Sequence, residues 1–471
     1  MAIRRTKILA TLGPATDDPK RLDAMVAAGM DGGRINCAHD TPESWRMRAG
    51  ALRAAATRAG RPLALLLDLA GPKMRLGTGV RPRQVTPGES VVFASGEEVP
   101  SGAVPVDWPG FADAVSVGRS EIVIGDGTPR FRVVMANPAE GLVTAVCQRP
   151  GAIAPRKGIF CTYVATPAPV LGERDLADLA VGVEMNADLV ALSFVRSGQD
   201  VRRLRGAMDA LGSQARVIAK IEKVEAYEAL DEIVDVSDGV MVARGDLGVE
   251  AGVERVPLIQ KDVIRRAEAQ GKLVITATQM LESMIEQPEP TRAEATDVAN
   301  AILDGTSAVM LSGETTVGRF PVEAVAAMAS IATEAERGFP VSVDVMSPTT
   351  SRPEAVMQAA VHLAQQVDAV ALIVSTVSGG AARAAAKYRP RLRVIALSED
   401  ERVRRQLALE WGVVPGWLPP RASTLEQHRH TMIKRAMRIA DLKTGDVVVL
   451  AYGPPAAGPS ETSFLAVRTI P

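Results

Sequence analysis

Aromatic residues are scarce in this 471-residue chain, at 3% of positions, and neither sign of charge prevails: 54 basic and 55 acidic side chains leave a formal net charge of −1. A base-stacking surface needs aromatic rings and a polyanion-binding face needs surplus cations, so nucleic acid is excluded as a partner class. An anionic membrane surface finds no attracting field either. Cysteine is rarer still. Cys37, Cys147 and Cys161 form no CxxC pair and are too few for a disulfide framework, which points to a reducing, cytoplasmic setting. No uncharged apolar run approaches the roughly 18 residues of a membrane span, because arginines interrupt the alanine-rich segments. The basic start, Met1 to Lys7, leads only into Ile8-Leu9-Ala10, too short for the core of a signal peptide, so export is not indicated.

Apolar residues, by contrast, make up 47% of the chain, enough to bury cores. At about 150 residues per domain, the length suggests about three of them. Eight short apolar runs end in polar or glycine residues and precede helical patterns: Thr6 to Thr11, Gly33 to Asn36, Leu63 to Asp68, Asp188 to Ser193, Arg216 to Glu222, Gly239 to Ala243, Leu273 to Thr278 and Ala308 to Ser312. With helices such as Pro19 to Ala28 and Pro257 to Ala269 between them, this rhythm predicts a TIM (β/α)8 barrel. About 120 residues separate the third run from the fourth, against roughly 20 to 40 elsewhere. That insertion, with its Pro-Gly turns, its alternating run Phe131 to Met135 and its Gly125-Asp126-Gly127 turn, predicts a small β-barrel lid. A polar, proline-bearing stretch near Ser347 to Pro353 then leads to a C-terminal three-layer α/β domain, with strands at Ala369 to Val374, Val394 to Leu397, Asp446 to Ala451 and Phe464 to Thr469. The expected division is 1–74 and 157–340 for the barrel, 75–156 for the lid and 341–471 for the last domain.

In a barrel of parallel strands the C-terminal ends share one face, where active sites are built. The fifth run ends Lys220-Ile221-Glu222, and a period of two puts Lys220 and Glu222 on the same side. The sixth runs into Arg244-Gly245-Asp246. Neighbouring strands lie about 4.8 Å apart, so Glu222 and Asp246 are placed to grip one hard divalent cation. The competing reading is a structural ion-pair layer with Lys220 and Arg244. A lysine beside Mg²⁺ suits reactions in which negative charge develops, phosphoryl transfer and enolate formation among them. Arg34, near the end of the second run, is either a phosphate clamp or a solvated charge. Thr278, closing the seventh, is a candidate for orienting a water or a substrate oxygen.

Three segments carry a resemblance: Lys220-Ile221-Glu222; Met241 to Gly248, which reads MVARGDLG; and Ala277 to Met284, ATQMLESM. Pro290 to Glu294, Asp297 to Ala301, Met310 to Thr315 and the opening Arg5 to Ile8 with Thr11 to Pro14 extend it. The chain resembles the pyruvate kinases over nearly its whole length. The resemblance implies a barrel, an inserted lid and a C-terminal α/β domain, and transfer of the phosphoryl group of phosphoenolpyruvate to ADP in glycolysis, with Mg²⁺ (Mn²⁺ as the alternative) and a homotetrameric assembly. By position it implies that Lys220 is the transition-state lysine, that Glu222 and Asp246 are Mg²⁺ ligands, and that Arg34, Gly245, Asp246 and Thr278 contact substrate, Thr278 in the protonation step. It places Asn36, His39, Arg75 and Lys157 on the nucleotide side and Asp126 in the closing lid; His39 as a surface histidine and Asp126 as a turn residue are the alternatives.

The chain also departs from that family. Asn36-Cys37-Ala38-His39-Asp40 lacks the serine that, with the positions of Asn36 and Asp68, helps bind K⁺, and Leu69-Ala70 replaces a Thr-Lys pair. Lys73 stands where K⁺-dependent members carry glutamate, so an ammonium there is expected to substitute for the monovalent cation's charge, and K⁺ is not expected to be required. Phe160-Cys161-Thr162-Tyr163 departs from the usual Leu-Pro, for which we have no account. The segment Thr376 to Ala381 takes the place of a phosphate-binding effector loop, but its partner loop, Gly453 to Ser460, carries no basic residue to hold a sugar bisphosphate. The alternative function is that of a divergent paralogue with weak or no turnover, acting as a metabolite-binding regulatory protein.

Overall fold

The computed structural model describes residues 4–72, 74–96, 99–108, 110–125, 127–162, 169–338, 349, 351–420, 424–453 and 462–471. Lys73, Asp126, Tyr163 and most of the 339–353 and 453–460 stretches, which the sequence reading singles out, lie outside the described residues.

Eight parallel strands close into a barrel: β1 (Lys7–Thr11), β2 (Gly32–Asn36), β3 (Ala64–Asp68), β4 (Leu189–Leu192), β5 (Arg216–Ile221), β6 (Gly239–Ala243), β7 (Leu273–Ala277) and β8 (Ala308–Leu311). The ring closes where β1 pairs with β8, Lys7 opposite Ala308. Most strand residues are buried on both sides, because one face fills the barrel interior and the other packs under the helices. Leu9, Leu66, Leu189, Ile218, Met241 and Ile275 form an inner cluster. The helix Pro19–Ala28 matches its expected limits, with Asp18 accepting the backbone N–H of Lys20 as N-cap.

Between β3 and β4 the chain leaves the barrel to build a six-stranded sheet with its own core around Phe93, Phe111 and Phe131. Phe131 and Val133 face inward as the alternation predicts, but a register shift after Val133 turns Val134 and Met135 outward together. The last strand of that sheet, Ile159–Cys161, lies past residue 156, pairing antiparallel with Glu121–Ile124.

The C-terminal sheet has the order β11-β10-β9-β12-β13: β9 (Ala371–Ser375), β10 (Arg393–Ser398), β11 (Val413–Trp417), β12 (Val447–Tyr452) and an antiparallel β13 (Phe464–Thr469). Sequence reasoning misses β11, whose Pro415-Gly416 reads as a turn. At an edge a proline is tolerated, and a Cβ on Gly416 would sit 2.4 Å from Ile439 Cδ1, so close helix packing explains the glycine. This domain seats against the strands' N-terminal ends, where Lys7 Nζ donates to the Val413 carbonyl at 2.7 Å. The opposite face stays open beneath the lid.

Candidate active site at the C-terminal face of the barrel

Three strand ends, those of β2, β3 and β5, bring Arg34, Asp68, Lys220 and Glu222 together. Lys220 Nζ lies 2.7 Å from Ser193 Oγ, 2.9 Å from Glu222 Oε1 and 3.2 Å from Asp68 Oδ1. On the other side of Asp68, Arg34 Nε donates to Oδ2 at 2.7 Å and Nη1 donates to Thr11 Oγ1 at 3.0 Å. Every member of this group is buried. Burial alone would push Lys220 down, but Asp68 and Glu222 outweigh it and raise its affinity for a proton above the ordinary lysine value. It is therefore a fixed cation at neutral pH, not a proton donor. Burial also works against ionised Asp68, yet Lys220 and Arg34 hold its carboxyl below the usual range.

Glu222 behaves differently. Its Oε2 accepts the backbone N–H of Phe194 at 2.6 Å, whereas Oε1, though near Lys220, is buried without a well-directed hydrogen bond. Burial raises its carboxyl above the glutamate range; Lys220 opposes this and the negative charge of Asp246 adds to it. A divalent cation between Glu222 and Asp246 would relieve the like-charge repulsion between them. The donor set is hard oxygen, as Mg²⁺ demands, and among the described residues no group of three acidic, histidine or cysteine side chains converges, which leaves further positions for water or substrate oxygens. The residues present fit the ion.

The loop after β7 holds Thr278 (φ +67°) and Gln279 (φ +55°) in the left-handed region. For a β-branched residue this is a genuine outlier, of a kind that costs about 1–3 kcal/mol and persists only where the surroundings enforce it. Here Thr278 Oγ1 accepts the Gly245 N–H at 2.8 Å and donates to the Ala277 carbonyl at 2.6 Å. Thr278, Gly245 and Asp246 line one cleft of about 1110 Å³, together with His39, Arg75 and the Gly125 turn of the lid. A second hollow shares His39, Ser312 and Gly313 with it and adds Arg34, Asn36 and Trp45. Asn36 Oδ1 accepts the backbone N–H of Ala38 at 3.1 Å. Lys157 stands at the lid base, its Nζ 3.4 Å from the Ala152 carbonyl, and Arg75 pairs with Gly158 in a backbone bridge. The sequence-predicted positions thus divide into a buried charge cluster, a β6–β7 loop pair and a rim shared with the lid.

Sequence reasoning misses Ser193 and Thr11 as partners, and the Arg244 of its competing ion-pair layer pairs with Asp297 instead. A hydroxyl at a strand end is a weak letter by itself, and only the β4–β5 pairing, Leu192 opposite Ala219, brings Ser193 next to Lys220. Arg383 is missed as well: it lies below the Thr376 to Gly379 turn and donates to the Ser378 carbonyl at 2.8 Å.

Two family models match the chain, pyruvate kinase, barrel domain, over residues 3–325 and pyruvate kinase, alpha/beta domain, over 354–468. It is similar to the pyruvate kinase of Geobacillus stearothermophilus, 40% identical over 99% of this chain and 80% of that protein. The pyruvate kinases of Chlamydia muridarum (39%, covering 99% and 98%) and Methylorubrum extorquens (37%, covering 99% and 98%) are further relatives. With both of the family's domains matched and such relatives spanning almost all of it, the chain belongs to the pyruvate kinase family.

Proposed function

We propose that this chain transfers the phosphoryl group of phosphoenolpyruvate to ADP, giving pyruvate and ATP in glycolysis, in the cytoplasm and as a homotetramer. The observation that carries the reading is the buried Lys220 cation set between Asp68 and Glu222, with Asp246 as a second acid beside Glu222. Arg34 is held by Asp68 and Thr11 through Nε and Nη1, which leaves Nη2 without an acceptor among the described residues and available to a phosphoryl oxygen. Glu222 and Asp246 would hold Mg²⁺, or Mn²⁺, which supplies positive charge against the phosphoryl and enolate oxygens. Lys220 adds a preorganised charge in a site shielded from water, where it counts for more than in solution.

Thr278 orients the proton that completes pyruvate. Its hydroxyl, fixed between Gly245 and Ala277, sits where a water or substrate oxygen in the cleft can exchange with it. Asn36, His39, Arg75 and Lys157 take the nucleotide; Asp126, the lid aspartate by resemblance, lies outside the described residues. The barrel takes 1–74 and 157–340, the lid 75–156 together with the strand Ile159–Cys161 that completes its sheet, and the C-terminal domain 341–471.

Activity is independent of K⁺ in this reading. Supporting it are the missing hydroxyl at Ala38, the buried Leu69, and the pairing of Asp68 with two side-chain cations; Lys73 adds the replacement charge. The test is pyruvate formation from phosphoenolpyruvate, ADP and Mg²⁺, in buffers with and without K⁺, for the intact chain and Lys220→Ala. Turnover that the substitution lowers by roughly 10²- to 10³-fold is the expected result; no turnover by the intact chain under any cation overturns the proposal.

A further inference from the structure

We propose that Arg244 is the positioning residue that holds Thr278 in its left-handed conformation and so fixes the hydroxyl on which proton delivery depends. The inference rests on the reading of Thr278 above. Arg244 closes β6 and is almost wholly buried, and it reaches across to the loop after β7. Its Nε and Nη2 donate to the Thr278 carbonyl at 3.2 and 2.8 Å, and Nη2 donates also to the Gln279 carbonyl at 3.1 Å. These are the carbonyls of the two consecutive residues with positive φ. Its Nη1 donates to Asp297 Oδ1 at 2.8 Å, an acid on the helix Arg292–Leu303, and that ion pair sets the plane of the guanidinium.

The geometry couples two constraints. Arg244 anchors the carbonyl of Thr278, while the next residue, Gly245, donates its N–H to the same threonine's hydroxyl. One turn of chain therefore holds both ends of Thr278. A lysine at 244 carries a single ammonium on a flexible stem and cannot span two carbonyls and a carboxylate as the planar fork does. Nothing in the arrangement brings Arg244 itself to the reacting atoms; it acts through Thr278.

Steady-state kinetics of R244K, T278A and the double variant test this. We expect R244K to lower kcat roughly 10²-fold with KM for phosphoenolpyruvate changed much less, because a displacement near 1 Å of a reacting group costs about that much. We further expect the double variant to be no slower than T278A by itself. Losses that multiply instead overturn the proposal, since Arg244 would then act independently of Thr278. A second measurement needs no turnover: crystal structures of R244K and D297N should show φ of Thr278 relaxed to negative values, and a Thr278 that keeps its conformation in both overturns the proposal whatever the activity. If R244K does not fold, D297N, which only frees the guanidinium, carries both measurements. An intact chain that lacks turnover removes the proposed function, and the structural measurement still decides the role of Arg244.

Discussion

The two ends of the barrel bury similar numbers of charges to opposite effect. At the N-terminal end, under the C-terminal domain, carboxylates are paired with arginines. Asp188 receives Arg405 at 2.8 Å, Arg53 at 2.9 Å and the Leu65 N–H at 2.9 Å; Glu410 pairs with Arg216; Glu268 receives Arg389 at 2.8 Å. At the C-terminal end Glu222 shares Lys220 with Asp68 and stands next to a second acid, Asp246, so its carboxyl stays above the glutamate range. Closed pairs make a seam between domains, whereas an open one makes a place for a ligand. The difference matches the division of labour in barrels, with stability at the bottom and chemistry at the top.

Breaking the closed end should give the largest energetic effect. Glu410→Ala removes the carboxylate paired with Arg216, and also an anion that opposes the burial pushing Arg383 down to about 10. Loss of one partner of a buried pair costs about 3–5 kcal/mol. We expect the denaturant midpoint to fall accordingly, while the folded fraction keeps its turnover; an unchanged midpoint would show that the seam is solvated. The open end should respond in turnover as well. Lys220→Met should reduce turnover by roughly 10²- to 10³-fold, and the denaturation midpoint should fall too, because buried Asp68 and Glu222 lose their shared cation.

A pH series sharpens the contrast at the closed end. Burial pushes Lys7 down to about 8, with Asp31 only partly opposing it. The unfolded chain binds this proton more tightly, so between about pH 8 and 10 unfolded molecules carry more protons and stability rises with pH. Compared with Lys7→Met, the native chain should gain in denaturation midpoint across that window; a constant difference would mean that Lys7 stays charged. The smallest effect concerns K⁺. Replacing it by tetramethylammonium should change turnover less than about twofold if side-chain cations already balance Asp68.

Much of this architecture is legible in the letters because parallel strands buried on both sides read as continuous apolar runs. All eight barrel runs fall within a residue or two of their strands, and the (β/α)8 order follows from them. Legibility fails where a residue's role comes from pairing across the sheet. Asp68 reads as a candidate ligand for a monovalent cation, and only the ring geometry shows Arg34 and Lys220 on either side of it. Arg244 reads as part of a glycine-bearing loop; its grip on two carbonyls some 34 positions away has no signature in its own neighbourhood. Pro415 and Gly416 hide β11 because their local meaning, a turn, is overridden by an edge position and a packed helix.

The interruption between β3 and β4 has a consequence for how the chain assembles. Leu66 and Leu189 pair as neighbours although 123 positions separate them. Loop-closure entropy grows only logarithmically, so two doublings over an ordinary connection of about 30 residues cost about 1.2 kcal/mol. The order of events changes more than the energy. As the chain leaves the ribosome, three barrel strands emerge without partners on one side and wait while the inserted sheet, with its separate core, is completed. The completed insert then brings the ends of the gap together and serves as the splint on which the barrel is set.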